Sequence, residues 1–249
     1  MFGIMKIIIS PAKKMNMDTD TLAPESLPVF LEKTEELLAW MRQLSRQEAK
    51  ELWRCNDRIA DQNYQRFQEM NLRKNLTPAV ISYEGIQYQY MAPVVFEERQ
   101  MEYIRDHLKI LSGFYGVLRP FDGVVPYRLE MQAKASEAGD LYRFWEDKLY
   151  RELKKDEGTF ILNLASKEYS RCIEKYLQPG DVFLTCVFGE LEDGKVKQKG
   201  TYAKMARGEM VRYLAENQVE DMEEIKNFDR LGYRFDEGLS SDREYIFLK

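Results

Sequence analysis

The sequence predicts an α+β fold, a mixed sheet surrounded by helices within a single compact domain spanning residues 1–249. Short β-branched runs such as MKIIIS and FILNLAS are interleaved, without regular alternation, with stretches of helical period. No internal repeat, low-complexity tract or linker divides the chain. A content of 44% hydrophobic and 32% charged residues is ordinary for a globular domain of this length.

The elements follow in order. MKIIIS (5–10) is a strand stopped at Ser10-Pro11. Ser26-Leu27-Pro28 opens a helix with Phe30, Leu37, Leu38, Met41 and Leu44 on one face. Ser45 and Glu48 have capping-box spacing for a second helix that runs to about Cys55, and a third covers Ile59–Met70. After Pro78, AVISYE (79–84) reads as a strand ending at Gly85. The stripe Ile104, His107, Leu108, Leu111 predicts a helix over 97–111, with His107 as a core histidine. Gly113 then reads as the left-handed residue closing that helix. The polar stretch Met131–Asp140 is a loop, and Leu141, Trp145, Leu149 and Leu153 mark another helix. FILNLAS (160–166) is a strand, followed by a helix burying Tyr169, Cys172, Ile173 and Tyr176. A hairpin turning at Glu192-Asp193-Gly194, a helix over 203–216 and a terminal hairpin complete the chain.

Composition excludes several functions. The net charge of −5 and pI near 5.3 argue against a dedicated polyanion binder, so any basic face must be local. No apolar run approaches the ~20 residues of a membrane span. The first residues carry strand character and no cleavage site, which predicts a cytoplasmic protein without a signal peptide. Cys55, Cys172 and Cys186 are odd in number and widely spaced, which fits reduced thiols. One histidine and no CxxC pair exclude a His-rich zinc site, and both glycine-rich phosphate loops are absent. We therefore expect no metal and no cofactor.

Four segments place polar groups at strand ends or helix starts, where backbone groups are unpaired. They are Ser10–Lys13, the stretch 111–131, NLASKEY (163–169) and TYAKMARG (201–208). Lys204 and Arg207 share a helix face, and Gly208 costs that helix about 1 kcal/mol relative to alanine. Close approach of a backbone or a ligand would compensate; a solvated basic face is the plainer reading. Ser166 is a helix N-cap or, with Asn163, part of an anion pocket, and no base stands by to make it a triad serine. Arg128 and Glu130 face the same way if PYRLE is a strand, either as a structural pair or as a guanidinium fork for phosphate. Gly113 and Gly116 loosely match the glycine pair of a helix–hairpin–helix turn, whose amides contact DNA phosphate.

Together ISPAK, HLKILSGFYGVLRP with PYRLEM, LYRFW, NLASKEY, YAKMARG and the terminal YRFDE…SS…YIF resemble, in order and spacing, the YaaA family. The resemblance spans Met5 to Phe247. It implies a fold of unusual topology, a role in limiting hydrogen-peroxide damage and lower free iron. It also implies DNA binding through a helix–hairpin–helix element and a basic cleft. That element falls at 111–120 or at Asn56–Phe67, where Asp61 replaces a relative's glycine while Arg54, Arg58 and Arg66 remain.

Three readings follow. In the first, Lys13, Arg119, Arg128, Lys204 and Arg207 bind duplex DNA weakly and without sequence preference. In the second, Ser10, Lys13, Asn163, Ser166, Lys204 and Arg207 line a polar cleft for a small phosphorylated or otherwise anionic molecule, with Glu130 or Glu168 as acid/base. It requires all four segments to converge. The third, iron held by Glu130, Glu168, Asp236 and Glu237, lacks the imidazole or clustered carboxylates that ferrous ion favours.

Overall fold

A computed structural model describes residues 4–135 and 139–249. β1 (Met5–Ile9) leads through β2 (Lys14–Met15) into α1 (Leu31–Gln43), α2 (Arg46–Trp53) and α3 (Asp57–Glu69). Next come β3 (Thr77–Pro78), α4 (Ala79–Ser82), β4 (Tyr83–Glu84), α5 (Ile86–Met91) and α6 (Glu98–His107). β5 (Leu108–Ser112), β6 (Gly116–Leu118), β7 (Gly123–Val124), β8 (Lys134–Ala135) and β9 (Gly139–Asp140) precede α7 (Leu141–Trp145) and α8 (Lys148–Leu153). β10 (Phe160–Leu164), α9 (Lys167–Glu174), β11 (Phe183–Glu192), β12 (Lys195–Lys197) and α10 (Gly200–Asn217) follow, then α11 (Met222–Ile225), β13 (Arg234–Asp236) and β14 (Glu244–Leu248).

The main sheet has eight strands in the order β13-β14-β11-β10-β1-β5-β6, with β12 on β11. Its middle five, β14 to β5, run parallel, and β13 and β6 close the edges antiparallel. Every residue of β1 and β10 is buried, which is why MKIII and FILNL read as near-continuous apolar runs. The chain leaves β1 toward β5 on one side and leaves β10 toward β11 on the other. Adjacent strands whose connections diverge in this way leave a crevice beyond their carboxyl ends.

The mixed sheet, the helices around it, the capping box of α2 and both hairpins agree with the sequence reading. Several local readings need correction. AVIS forms α4 because Ala79 and Val80 donate to the carbonyls of Asp122 and Pro120 rather than to a strand ladder. The helix predicted over 97–111 stops at His107, and LKILS becomes β5 because it pairs with β1. Its periodicity gave way to tertiary pairing. His107 is a core residue, its Nδ1 donating to the Met5 carbonyl at 2.8 Å.

A helix–hairpin–helix element is not confirmed. Residues 111–120 connect two strands, and Gly116 (φ 78°), not Gly113, takes the left-handed conformation. At the other candidate, three residues join α2 to α3, with Arg54 left-handed (φ 45°). The acids there are engaged locally: Arg46 bridges Asp57 and Asp61, and Lys50 pairs with Asp57. The helix predicted from Leu141 to Leu153 breaks at Glu146 (φ 48°) into α7 and α8. Within the predicted loop Met131–Asp140, β8 pairs with β9, and residues 136–138 lie outside the described residues.

Gly208 sits where α10 crosses α5. A Cβ there would lie 2.2 Å from the Gln87 carbonyl oxygen and 2.9 Å from the Met91 nitrogen. Backbone approach is thus what offsets glycine's poor helix propensity. Gly208→Ala is expected to lower stability by about 1–3 kcal/mol in urea unfolding, although alanine is the better helix former. Gly200→Ala, at a position where a Cβ meets nothing within 4 Å, should raise stability or leave it unchanged.

Candidate functional site

A cleft of ≈ 420 Å³ opens beyond the carboxyl ends of β1 and β10. Ser10, immediately after β1, and Ser166, immediately before α9, meet across it. The Ser166 N–H donates to Ser10 Oγ at 2.8 Å, and the two hydroxyl oxygens stand 3.2 Å apart. Ser166 occupies the N-cap position of α9, yet its side chain makes no capping bond. Its hydroxyl is turned to the strand end instead.

The second wall is the segment 127–131. Gly113 permits it: a Cβ on Gly113 would lie 2.5 Å from the Leu129 carbonyl oxygen and 3.0 Å from the Met131 nitrogen. Tyr127 anchors the same segment through hydrogen bonds to Ser112 Oγ (2.6 Å) and to the Tyr83 hydroxyl (2.8 Å). The segment is irregular rather than a strand, yet it presents both Arg128 and Glu130 to the cleft. Glu130 receives Lys13 at 2.9 Å and the Arg128 Nη2 at 3.2 Å. The third wall is α10, which contributes Lys204 and Arg207, facing Gln87 and Tyr88 at the start of α5.

Eight of the ten residues singled out from sequence therefore line one cleft: Ser10, Lys13, Arg128, Glu130, Ser166, Glu168, Lys204 and Arg207. Two do not. Asn163 is buried beneath it, accepting from the Ala165 N–H at 2.9 Å and donating to Thr185 Oγ1 at 3.2 Å, which ties β10 to β11. Arg119 points elsewhere. Its guanidinium binds Asp122 at 2.9 Å and the Leu27 carbonyl at 2.9 Å, where it holds the approach to α1. Sequence reasoning missed Gln87 and the tyrosines Tyr88, Tyr127 and Tyr169; nothing in IQYQYM marks one glutamine as facing a cleft.

The electrostatics are unbalanced. Among the described residues, neither Lys204 nor Arg207 forms an ion pair. Burial pushes the Arg207 guanidinium below its usual range, and no carboxylate offsets it. Among the described residues, the Nε atoms of Arg128 and Arg207 are buried without a hydrogen-bond partner, as are Gln87 Nε2 and Glu130 Oε1. The Arg128 contact to that oxygen is therefore close in distance but lacks hydrogen-bond geometry. Such orphaned groups each cost about 1–3 kcal/mol unless something fills the space. Among the described residues, no group of three or more His, Cys, Asp or Glu side chains could hold a metal ion, so Glu130, Glu168, Asp236 and Glu237 do not assemble. No helix there is long and apolar enough to cross a membrane.

The family described as peroxide stress protein YaaA matches residues 5–239. This chain belongs to that family. It is 59% identical over 245 residues to a UPF0246 protein of Agathobacter rectalis, covering 98% of each chain. It is 56% identical over 247 residues to UPF0246 protein DSY0297 of Desulfitobacterium hafniense, again covering 98% of each. A UPF0246 protein of Lachnoclostridium phytofermentans is also 56% identical over 247 residues, covering 98% of this chain and 96% of the relative. Membership supports a general role in the response to peroxide stress.

Glu168 stands half-buried on the wall of the cleft. Burial raises its pKa above the ordinary 4.5, and the Glu130 carboxylate adds to the effect; the Gln132 N–H, donating at 3.3 Å, opposes it. A raised carboxyl pKa means the folded state holds its proton to higher pH, so this group's contribution to stability falls as pH rises from 4.5 through the raised value. Carbon-13 NMR titration of the Glu168 carboxyl should place its midpoint above 4.5, and Glu130→Gln should bring that midpoint down. A midpoint at or below 4.5 in the unaltered protein would contradict the assignment.

Proposed function

We propose that this protein binds a small anionic molecule in the cleft at the ends of β1 and β10 and acts on it, as its part in peroxide resistance in the cytoplasm. One observation carries the reading: two arginines reach the cleft with buried, unpartnered Nε atoms, and one of them, Arg207, has no acidic neighbour among the described residues. A guanidinium in that position is suited to an anion, which it can hold through two parallel hydrogen bonds. Lys13 and Lys204, exposed at the mouth, draw the anion in. Glu168, protonated to higher pH than an ordinary glutamate, serves as the acid, and Glu130 serves as the acceptor beside Arg128. Ser10 and Ser166 supply hydroxyls at the strand ends.

Arg207→Met tests this through two opposite effects. Removing an unpaired, half-buried cation should raise stability by about 1 kcal/mol, since active sites are commonly built at the expense of stability. The same change should abolish binding of inorganic phosphate and sulfate in calorimetry. A variant that is destabilised and still binds both anions refutes the role given to Arg207.

A second reading, weak binding to duplex DNA coupled to lower free iron, draws support from the exposed lysines at the mouth. Arg128 and Arg207 sit too deep for a duplex backbone, and Arg119 lies outside the cleft. DNA contact would then rest on Lys13 and Lys204, and log K against log salt should fall with a slope of about −2. A gel shift that withstands about 0.2 M salt, or that survives Lys13→Ala with Lys204→Ala, removes it.

A further inference from the structure

Four buried side-chain atoms on the walls of the cleft lack partners among the described residues, and their chemistry is mixed. Gln87 Nε2, Arg128 Nε and Arg207 Nε only donate, whereas the Glu130 carboxylate only accepts. Gln87 is 6% exposed, so water cannot serve its amide freely. A ligand that satisfies all four needs acceptors on one side and a hydrogen-bond donor on the other. A fully acceptor anion would instead set its charge against Glu130 Oε1.

Charge and size narrow the class. Lys13, Lys14, Arg128, Lys204 and Arg207 face Glu84, Glu130 and Glu168, so five cations against three carboxyl groups leave an excess of at least two positive charges, and of three while Glu168 holds its proton. That matches a dianion. The cleft of ≈ 420 Å³ is far larger than an inorganic anion, and Pro11, Ile86, Tyr88, Leu129 and Tyr169 give it apolar wall as well. Cavities of this size, with few convergent polar groups on largely apolar walls, suit organic molecules of several to many heavy atoms.

Resting on the reading of the cleft as an anion site, we infer that its ligand is a phosphate monoester whose organic part carries a hydroxyl or amino group near the phosphate, as in a sugar phosphate or a nucleoside phosphate. The phosphate lies between Arg128 and Arg207, with Gln87 beside it, and the neighbouring hydroxyl or amino group donates to Glu130.

Calorimetric titration with inorganic phosphate, propyl phosphate, glycerol 3-phosphate and ribose 5-phosphate separates the two claims. Propyl phosphate has the charge without the donor. At least one donor-bearing ester should bind about tenfold tighter than propyl phosphate, the value of one hydrogen bond to a buried charge. Glu130→Leu should erase that preference. If all four compounds fail to bind, the anion site itself falls and this inference with it. If propyl phosphate binds as tightly as both hydroxylated esters, the anion site stands and the donor-bearing ligand is refuted. Should Glu130→Leu fail to fold by circular dichroism, the preference measured on the unaltered protein decides alone.

Discussion

Backbone packed against backbone, at positions where only glycine fits, sets the distance between the walls of the cleft. At Gly208 the α10 backbone meets Gln87 and Met91 of α5, and at Gly113 the β5–β6 turn meets Leu129 and Met131. A third contact is milder: a Cβ on Gly85 would lie 3.1 Å from Ala12 Cβ, where the loop leaving β1 passes the start of α5. The first two contacts carry cleft-lining side chains next to them in sequence, Arg207 beside Gly208, and Arg128 and Glu130 flanking Leu129. A methyl group at either of the first two sites cannot be accommodated by a rotamer change, because the obstruction is main chain. The same contacts that hold the helices and the turn together thus fix where the charges stand.

Those charges are an island of positive potential on an acidic protein. The chain carries 42 acidic against 37 basic side chains, yet the cleft reverses the balance. A concave site of one sign with low-dielectric walls concentrates field lines and raises the local concentration of oppositely charged ligands. The thiols follow a different logic. Burial pushes both the Cys172 and the Cys186 thiol well above the ordinary range. Thiolates are the peroxide-reactive form, so these two cysteines are held in the inert state even though Arg207 lies near Cys186. The link between this chain and peroxide is thereby better sought in what the cleft binds than in either buried sulfur.

Much of this arrangement was legible in the residues, and the failures have physical causes. Strand-to-helix junctions at Ser10 and Ser166 were visible because Pro11 and the cap position punctuate two apolar runs. The basic pair Lys204 and Arg207 and the anomaly of Gly208 were visible from helical spacing. Arg119 lies outside the cleft because its carboxylate partner, Asp122, is only three residues away, and sequence cannot tell whether an arginine turns to a near acid or to a ligand. LKILS was misjudged because its apolar positions satisfy helix and strand periods alike, and the choice was made by β1, a hundred residues earlier. Gln87 was invisible since its role depends on α10 lying across it.

Three departures from local good practice meet in one place. Ser166 holds an N-cap position without capping, which forgoes about 1 kcal/mol that a capping hydroxyl would contribute. Arg207 is half-buried, its Nε fully so, without a counter-charge among the described residues, and Gly208 lies within an eighteen-residue helix. Singly, each has a bland explanation: a strand-end hydroxyl pair, an amphipathic stem, a packing contact. Scattered over the surface they would be three unrelated defects. Instead the Ser166 hydroxyl and the Arg207 guanidinium line the same cleft, and Gly208 is what lets the arginine's helix close over it. Folding alone favours capped helices and paired charges. Their joint absence around a crevice at the divergence of β1 and β10 is what the proposed anion site accounts for.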